Sequence, residues 1–550
     1  MSRKAIPGFR QRESGLIGRY EWALLAFLMV LTGFRLWYIG QEFLDLAPDE
    51  THYWEWSRAL DLSYYSKGPL VAYIIAFWTA IAGNTPLGVR LGAVVLSVGT
   101  TLLTYRLTWE ILRDRRLALF TTLLLHIVPL YAAGALLMTI DPPLIFFWTW
   151  ALYWAYTALT RQEGWRWLLM GMMIGLGFLS KYTMLFFLPS LLIYLLSSPQ
   201  DRSWLRRKEL YGGLGIAVLF SLPVLLWNQR HDWVSFRHLL GQAHVEQGLG
   251  FSFSWKMVET FLDFWGGQAV VLSPLLFAAL LYSMAGMLRR ACKHRERFPL
   301  FVSAFFFPLF GSYLLLSLRQ KVQANWPAAA YLPAFIATVA LFSSWLSPSS
   351  HQTKAYPPVI APGGRRQPPG PLLCFILLAL LLSFTLTLLG HFPQLPGLLG
   401  FPLPVQMDPT SRLRGWKSLG EWVSRWQAEY LPKRSAGPSS PALFLASNRY
   451  QIASELAFYV EGQPRTYCLN LGRRLNQYDL WGGLDRLEGS DAFYIQQGSR
   501  LPLKLRSAFR TCTLLDTLPI YYSGVRIRSF SLFHCIDFRG GISEDRPPGY

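Results

Sequence analysis

Twelve apolar runs fill most of the first 391 residues of this sequence. They lie at 22–40, 69–83, 91–112, 117–137, 143–159, 166–179, 182–196, 211–228, 266–288, 299–318, 327–346 and 371–391. Most have the length of about 18 residues or more that an α-helix needs to cross a bilayer. Only 15% of the residues are charged, against about a quarter in soluble proteins. The sequence therefore predicts a polytopic α-helical membrane protein.

The strongly positive net charge of +20 does not indicate a nucleic-acid-binding protein. The Lys and Arg residues cluster in short segments between the apolar runs, as the signals that orient membrane helices do. No basic face of a folded segment is apparent, and such a face is what nucleic-acid binding requires. We expect membrane lipid as a partner, and no nucleic acid.

The basic residues also predict the topology. If all twelve runs crossed the membrane, Arg113, Arg115 and Arg116 would lie outside, and the later basic loops would also be on the wrong side. If the run at 69–83 stays at the interface, about eleven helices cross, and every strongly basic loop lies inside. These loops contain Arg113, Arg115 and Arg116, then Arg161 and Arg166, Arg202–Lys208, Arg289–Arg297, and Lys354, Arg365 and Arg366.

Two boundaries follow from this topology. The first run, beginning at Trp22, is too long for a cleaved signal peptide, so residues 1–21 are predicted to be a cytoplasmic segment before a retained helix. The runs at 166–179 and 182–196 meet at Ser180-Lys181-Tyr182. We predict a hairpin there, because the alternative, one helix of about thirty residues, would invert every later loop.

From about Pro393 the composition changes to that of a soluble protein. The pattern predicts helices at Ser411–Tyr430 and from Asn448 to about Tyr459. It also predicts an apolar segment at Ala442–Ala446, strands at Arg465–Asn470 and Ala492–Gln496, and a hairpin at Ile520–Phe538 that turns at Ser523-Gly524. We therefore divide the chain into a transmembrane domain, 22–391, and a soluble α/β or α+β domain on the outer side, 392–550. Cys512 and Cys535 are its predicted disulfide.

The segment Pro48-Asp49-Glu50 is the most informative polar motif. Asp49 can cap a helix whose first turn includes Glu50, and Tyr53, Trp54 and Trp56 would anchor that helix along the membrane surface. An ordinary capped interfacial helix is the alternative reading. Neighbouring carboxylates at a membrane edge are nonetheless costly, and this cost favours a functional role.

The predicted topology brings further polar residues to the same side. Asp141 begins a span, with helix capping as the alternative role. Lys67 and Lys181 could bind an anion or could be lysines that only extend their ammonium groups to the interface. The loop at 319–326 adds Arg319, Lys321 and Asn325. Cations at this depth suit a lipid phosphate, and a nearby carboxylate could act as a general base.

These segments together resemble the bacterial membrane glycosyltransferases of the GT-C fold, the relatives of the protein O-mannosyltransferases and of the lipid A aminoarabinose transferase. The matching residues are Pro48–Trp56, Leu62–Leu70, Gly88–Leu91, Met138–Pro142, Ser180–Thr183 and Asn325–Pro327. The resemblance covers roughly residues 20–345. One departure is Gly68, where the group usually has proline.

The resemblance implies a polyprenyl-phosphate sugar donor, a reaction at the outer face of the plasma membrane on its periplasmic side, and inversion at the anomeric carbon. Asp49 is then the predicted base, with Glu50 or Asp141 orienting the base or the acceptor. Lys67 would stabilise the departing phosphate, with Lys181, Arg319 or Lys321 as further candidates, and His52, Tyr53, Tyr65 and Asn325 would contact substrates. No cofactor is expected, and a divalent metal is possible but not indicated.

The acceptor could be a lipid, a polysaccharide or a protein. Two other classes of function remain open at this stage. A transporter would place charges near the membrane midplane, whereas a scaffold would tolerate the loss of both Asp49 and Glu50.

Overall fold

The computed structural model describes residues 18–242, 254–346, 369–398, 400–401, 404–430 and 442–542. Sixteen helices precede residue 392 in these ranges. They are α1 Arg19–Gly40, α2 Pro48–Ser57, α3 Leu70–Ala82, α4 Pro86–Leu112, α5 Arg115–His126, α6 Pro129–Gly134, α7 Asp141–Arg161, α8 Trp165–Ser180, α9 Phe187–Ser197, α10 Lys208–Arg230, α11 Val234–Gln242, α12 Trp255–Leu272, α13 Pro274–His294, α14 Arg297–Ser317, α15 Tyr331–Leu346 and α16 Pro369–His391.

Seven of the described helices are long and apolar enough to cross a membrane, namely α1, α4, α10, α13, α14, the segment Ala328–Trp345 and α16. Three shorter apolar helices are Leu70–Ala82, Trp165–Ser180 and Tyr182–Ser197. The chain is thus a mostly helical protein with several candidate spans, and the number of eleven crossings stays a prediction.

Ion pairs between described residues divide the bundle into two polar ends. At one end Arg115 pairs with Glu21 at 3.3 Å, and Arg297 pairs with Asp201 at 2.8 Å. All of these residues belong to loops or helix ends that the charge pattern assigned to the inside. The pairs at the other end, described below with the site, join only segments that it assigned to the outside, which agrees with the predicted layering.

Both ends of helix α3 lie close to helix α2. The 13 residues of α3 span about 20 Å, less than the roughly 30 Å hydrocarbon core. Tyr73, in its first turn, donates a hydrogen bond to the carbonyl oxygen of Asp61, and Asn84, just beyond its last turn, accepts one from the Trp54 indole. Both partners flank or belong to α2, so both ends of α3 lie near α2, and its non-crossing path stays a prediction.

The predicted hairpin is also present. Lys181 has an extended backbone between α8 and the 3₁₀ turn Tyr182–Phe186 that leads into α9. The rings of Trp167 and Trp204 lie 5.3 Å apart, whereas one straight helix would separate those residues by roughly 55 Å. The chain therefore reverses at Lys181 and places it at the same end as α2.

A five-stranded mixed sheet forms the centre of the C-terminal unit, in the order β2-β1-β3-β5-β4. Its strands are β1 Leu443–Ser447, β2 Thr466–Cys468, β3 Asp491–Gln497, β4 Phe509–Tyr522 and β5 Val525–Phe538, and its helices are α17 Leu395–Leu398, α18 Trp416–Tyr430, α19 Tyr450–Tyr459, α20 Gln477–Trp481 and α21 Leu503–Ala508. The predicted disulfide is confirmed: Cys512 and Cys535 face each other across β4 and β5, with a sulfur–sulfur distance of 2.08 Å.

Helix α2 lies between the bundle and the C-terminal unit, and its tryptophans contact protein instead of the membrane lipid that was predicted. Trp54 and Trp56 are completely buried, and the ring of Trp54 meets that of Phe458 on α19 at 4.9 Å. Thr51 and Ser454 share a hydrogen bond of 3.0 Å. The aromatic residues of α2 are apolar enough for lipid, but the C-terminal unit covers them instead.

This arrangement predicts which loops face the same side of the membrane. We replace the exposed native Cys292 and Cys374 with serine and introduce single cysteines at Leu60, Asn84 or Gln200. Leu60→Cys and Asn84→Cys should react with a membrane-impermeant maleimide from one side, and Gln200→Cys should react only from the other. Labelling of Leu60→Cys and Asn84→Cys from opposite sides would contradict the non-crossing path of α3.

Candidate functional site

A cavity of about 1880 Å³ lies between one end of the helix bundle and the C-terminal unit. Helix α2, the loop at 65–67, the start of α7, the hairpin tip and the loop at 320–326 form the wall on the side of the bundle. The C-terminal unit forms the opposite wall with residues at 409–416, 448–452 and 473–477. Residues distant in sequence are therefore gathered around one space.

Asp49 faces this cavity because of how α2 begins. The helix is capped at Ala47, not at Asp49 as predicted, with Pro48 as its first residue. The Glu50 carboxylate accepts a hydrogen bond of 2.8 Å from the backbone N–H of Ala47, which leaves Asp49 free to point into the cavity. Its Oδ1 accepts a hydrogen bond of 3.1 Å from the hydroxyl of Tyr450.

The environment of Asp49 raises the pKa of its carboxyl. Removal from bulk water is the largest cause, and the hydrogen bond from Tyr450 and the charges of Lys67 and Arg412 oppose it. A carboxylate that holds a proton more readily than usual, in a cavity, is typical of a general base.

Asp141, Lys181 and Asn325 form one polar cluster, although they come from three separate segments. The Lys181 ammonium group donates to Oδ1 of Asp141 at 2.7 Å, and the Asn325 amide donates to Oδ2 at 2.5 Å. Lys181 is nearly buried. Both carboxylate oxygens of Asp141 are therefore occupied, so this residue is poorly suited to accept a further proton and well suited to hold Lys181 in place.

Lys67 has no hydrogen-bond or ion-pair partner for its ammonium group among the described residues. Burial and the nearby charge of Lys181 lower its pKa to about 8. The next residue, Gly68, packs so closely on α8 that an added Cβ would lie 2.2 Å from the carbonyl oxygen of Leu179. This contact fixes the loop that carries Lys67, and a cation held without a partner is ready to receive an anion.

Three predicted contact residues also line the cavity. The buried His52 has no hydrogen-bond partner for Nδ1, and burial lowers its pKa to about 3, so the ring is neutral. Tyr53 lies beside Asp49, whose negative charge adds to burial in raising the pKa of its phenol. Tyr65 is held through its backbone N–H, which donates to the Gln477 side chain at 2.7 Å.

The remaining three predicted residues do not reach the cavity. Glu50 is fully buried and bonded to Arg90 at 2.9 Å and to the backbone N–H of Met138 at 2.9 Å. Its carboxylate is thus saturated and acts in the fold. Arg319 lies outside the cavity wall, and Lys321 is an exposed residue paired with Asp263 at 3.2 Å. The path of the loop turns Asn325 toward the cavity and leaves Arg319 and Lys321 outside it, and the sequence alone does not indicate that path.

The sequence analysis missed every cavity residue of the C-terminal unit. Arg412, Arg449, Tyr450 and Arg474 line the wall opposite Asp49 and Lys67. The segment Asn448-Arg449-Tyr450, a polar turn between a strand and a helix, is a signal that could have been noticed. Nothing in the sequence places it against α2.

Within the described residues, no group of three or more His, Cys, Asp or Glu side chains could hold a metal ion.

Comparisons with known proteins find similarity in both sequence and fold. A family model described as dolichyl-phosphate-mannose-protein mannosyltransferase matches residues 66–227. The lipid A galacturonosyltransferase RgtD of Rhizobium johnstonii is 31% identical over 324 residues, which cover 58% of this chain and 66% of that protein. The crystal structure of ArnT from Cupriavidus metallidurans bound to undecaprenyl phosphate overlaps 94% of this chain and 98% of its own, with a TM-score of 0.53 and 16% identity.

In sequence this chain is similar to lipid A glycosyltransferases, and its fold is similar to that of ArnT. The undecaprenyl phosphate-α-4-amino-4-deoxy-L-arabinose arabinosyl transferase of Pseudomonas aeruginosa is a further relative, 32% identical over 236 residues, covering 38% of this chain and 40% of that protein. The matches thus span less than two thirds of the length of these relatives. At 16% identity, the likeness to the solved structure of ArnT concerns the fold alone.

The buried ion pair between Glu50 and Arg90 predicts an effect of substitution on the stability of the protein. Arg90→Leu would leave the Glu50 carboxylate buried without its cation, and such a change typically costs about 3–5 kcal/mol. The control Lys321→Met breaks an exposed pair and should cost less than about 1 kcal/mol. Thermal unfolding in detergent should show a much lower midpoint for Arg90→Leu only, and equal midpoints for the two variants would contradict the assigned role of Glu50.

Proposed function

We propose that this chain is an inverting glycosyltransferase that moves a monosaccharide from a polyprenyl-phosphate carrier to an acceptor hydroxyl. The observation that carries the proposal is that Asp49 and Lys67 face the same cavity. One is a carboxylate with an unoccupied oxygen, and the other is an ammonium group without a partner among the described residues. A base and a phosphate-binding cation in one cavity are the two groups that this reaction needs.

The proposed chemistry assigns one role to each group. The donor's phosphate is already a good leaving group, so no acid is required. Lys67 stabilises the charge that develops on the departing phosphate, and Lys181, held by Asp141, adds a second positive charge nearby. Asp49, on the opposite face of the sugar, removes the proton of the acceptor hydroxyl as that oxygen attacks the anomeric carbon, which inverts its configuration.

Apolar parts of the cavity wall support a lipid-linked donor. Val270, Val271 and Leu316 extend the wall along α12 and α14, and Tyr38 and Ile39 extend it along α1. These helices are among the apolar elements of the bundle. A carrier chain could therefore lie against apolar surface while its phosphate reaches Lys67.

Unpaired arginines on the C-terminal wall support an anionic glycolipid acceptor. Arg90, Arg473 and Arg528 line the cavity but are held by Glu50, Asp479 and backbone carbonyl groups, respectively. Arg412, Arg449 and Arg474 line the same cavity, and the described residues offer their side chains no hydrogen-bond or ion-pair partner. The name of the Rhizobium relative specifies lipid A, and phosphate or carboxylate groups are what free arginines bind best.

The proposal extends to location and organisation. We assign the chain to the inner, or plasma, membrane as a multi-pass protein with about eleven crossings, with the cavity and the unit at 392–550 on the periplasmic side. A transporter is less well supported because the unpaired charges that line the cavity lie at one end of the bundle. A scaffold would not need, in one cavity, a carboxylate with one free oxygen and a lysine without a partner among the described residues.

The deciding experiment uses purified protein in detergent with a panel of radiolabelled polyprenyl-phosphate sugars and lipid extracts as acceptors. Native protein should transfer label from at least one donor. Asp49→Asn, which keeps the size of the side chain but cannot accept the proton, should lower kcat by at least about a hundredfold. Near-native turnover by Asp49→Asn would remove it from the mechanism, and no turnover of any donor by native protein would favour the transporter.

Substitutions on the two walls of the cavity should affect the KM values of different substrates. Lys67→Ala should raise KM for the donor more than KM for the acceptor, because it removes the phosphate's cation. Arg449→Ala, on the opposite wall, should have the reverse preference. Initial rates with each substrate varied in turn measure both effects. Equal effects on the two KM values in both variants would contradict the assignment of separate walls.

A further inference from the structure

Helix α19 of the C-terminal unit places Tyr450 beside Asp49, the candidate base. Tyr450 is the first residue of this helix, immediately after the turn that leaves β1. Its hydroxyl donates to Oδ1 of Asp49 at 3.1 Å. Oδ2 of Asp49 has no partner among the described residues, so it remains available to a substrate. The hydroxyl of Tyr450 thus occupies one carboxylate oxygen and leaves the other facing the cavity.

The position of Tyr450 is fixed from several directions. Its ring lies 4.7 Å from the ring of His52, which in turn stacks on Tyr478 at 5.5 Å. One turn further along α19, Ser454 bonds to Thr51 at 3.0 Å. The contacts therefore join α19 to α2 close to Asp49, and the tyrosine cannot move away from the carboxylate without disturbing them.

We infer that Tyr450 is a positioning residue, which orients the carboxylate of Asp49 and makes the C-terminal unit part of the active site. The inference rests on the proposed function for its catalytic meaning. The hydrogen bond keeps Oδ2 aimed at the acceptor and favours the ionised form of the carboxylate, which is the form that accepts a proton. The sequence motifs do not assign this role to the C-terminal unit.

Several other groups act on Asp49 and would remain after removal of the hydroxyl. Glu50 and Tyr53 lie on the same helix, Lys67 lies on the following loop, and Arg412 belongs to the C-terminal unit. Lys67 and Arg412 favour the carboxylate, whereas burial and Glu50 oppose it. Because these groups are unchanged in Tyr450→Phe, a shift in the titration of Asp49 in that variant reports the lost hydrogen bond.

The test measures the protonation of Asp49 without any substrate. Dicyclohexylcarbodiimide reacts with protonated carboxyl groups, and mass spectrometry of the peptide containing Asp49 gives the labelled fraction across a pH series. In Tyr450→Phe the midpoint of labelling should lie about one pH unit above that of native protein, a tenfold change in the protonated fraction. Ser454→Ala is the matched control, because it removes a hydrogen bond between the same two helices without contacting Asp49, and its midpoint should be that of native protein.

The outcomes separate this inference from the proposed function. Equal midpoints in native protein and Tyr450→Phe would overturn it, as would equal shifts in Tyr450→Phe and Ser454→Ala, because the effect would then come from loosened helix packing. If a donor is turned over, the acid limb of kcat/KM should move upward in Tyr450→Phe by the same amount. If native protein turns over no donor, the proposed function fails, and the labelling result still decides whether Tyr450 controls Asp49.

Discussion

The buried carboxylate of Glu50 joins the segments on which the cavity depends. It binds Arg90 at the start of α4, the backbone N–H of Ala47 before α2, and the backbone N–H of Met138 before α7. Arg90 also donates to the carbonyl oxygens of Leu44 and Asp45. A buried ion pair is stable only when further hydrogen bonds satisfy its remaining groups, and here those bonds set the direction in which α2 leaves the bundle.

The direction in which α2 leaves the bundle determines where Asp49 lies. Because Glu50 turns into the protein, the residue before it turns outward, and Asp49 reaches the cavity. Met138 lies three residues before Asp141, so the same carboxylate also helps to position the segment that holds Lys181. The two adjacent acidic residues thus have different environments: Glu50 is buried and bonded to three other segments, and Asp49 faces the cavity.

The C-terminal unit contributes to the site as well as covering it. Its helix α19 buries the aromatic face of α2, and its loops supply arginines and a tyrosine to the cavity wall opposite Lys67. The arginines without a partner among the described residues, Arg412, Arg449 and Arg474, are exposed side chains that line this wall. Other arginines of that wall are paired. A cluster of arginines without partners among the described residues is the charge distribution expected of a surface that binds an anionic ligand.

The sequence by itself determined the membrane class, the layering of charged loops, the hairpin at Lys181, the turn at Ser523-Gly524 and the disulfide, because hydrophobic length, charge and turn chemistry are local properties. It also identified most of the cavity residues of the bundle, since each lies near the end of an apolar run. Only the tertiary structure decided that Glu50 is saturated, that Lys321 points elsewhere, and that Tyr450 meets Asp49. Those outcomes depend on contacts between segments up to 401 residues apart, and no local pattern encodes which long-range partner a side chain will find.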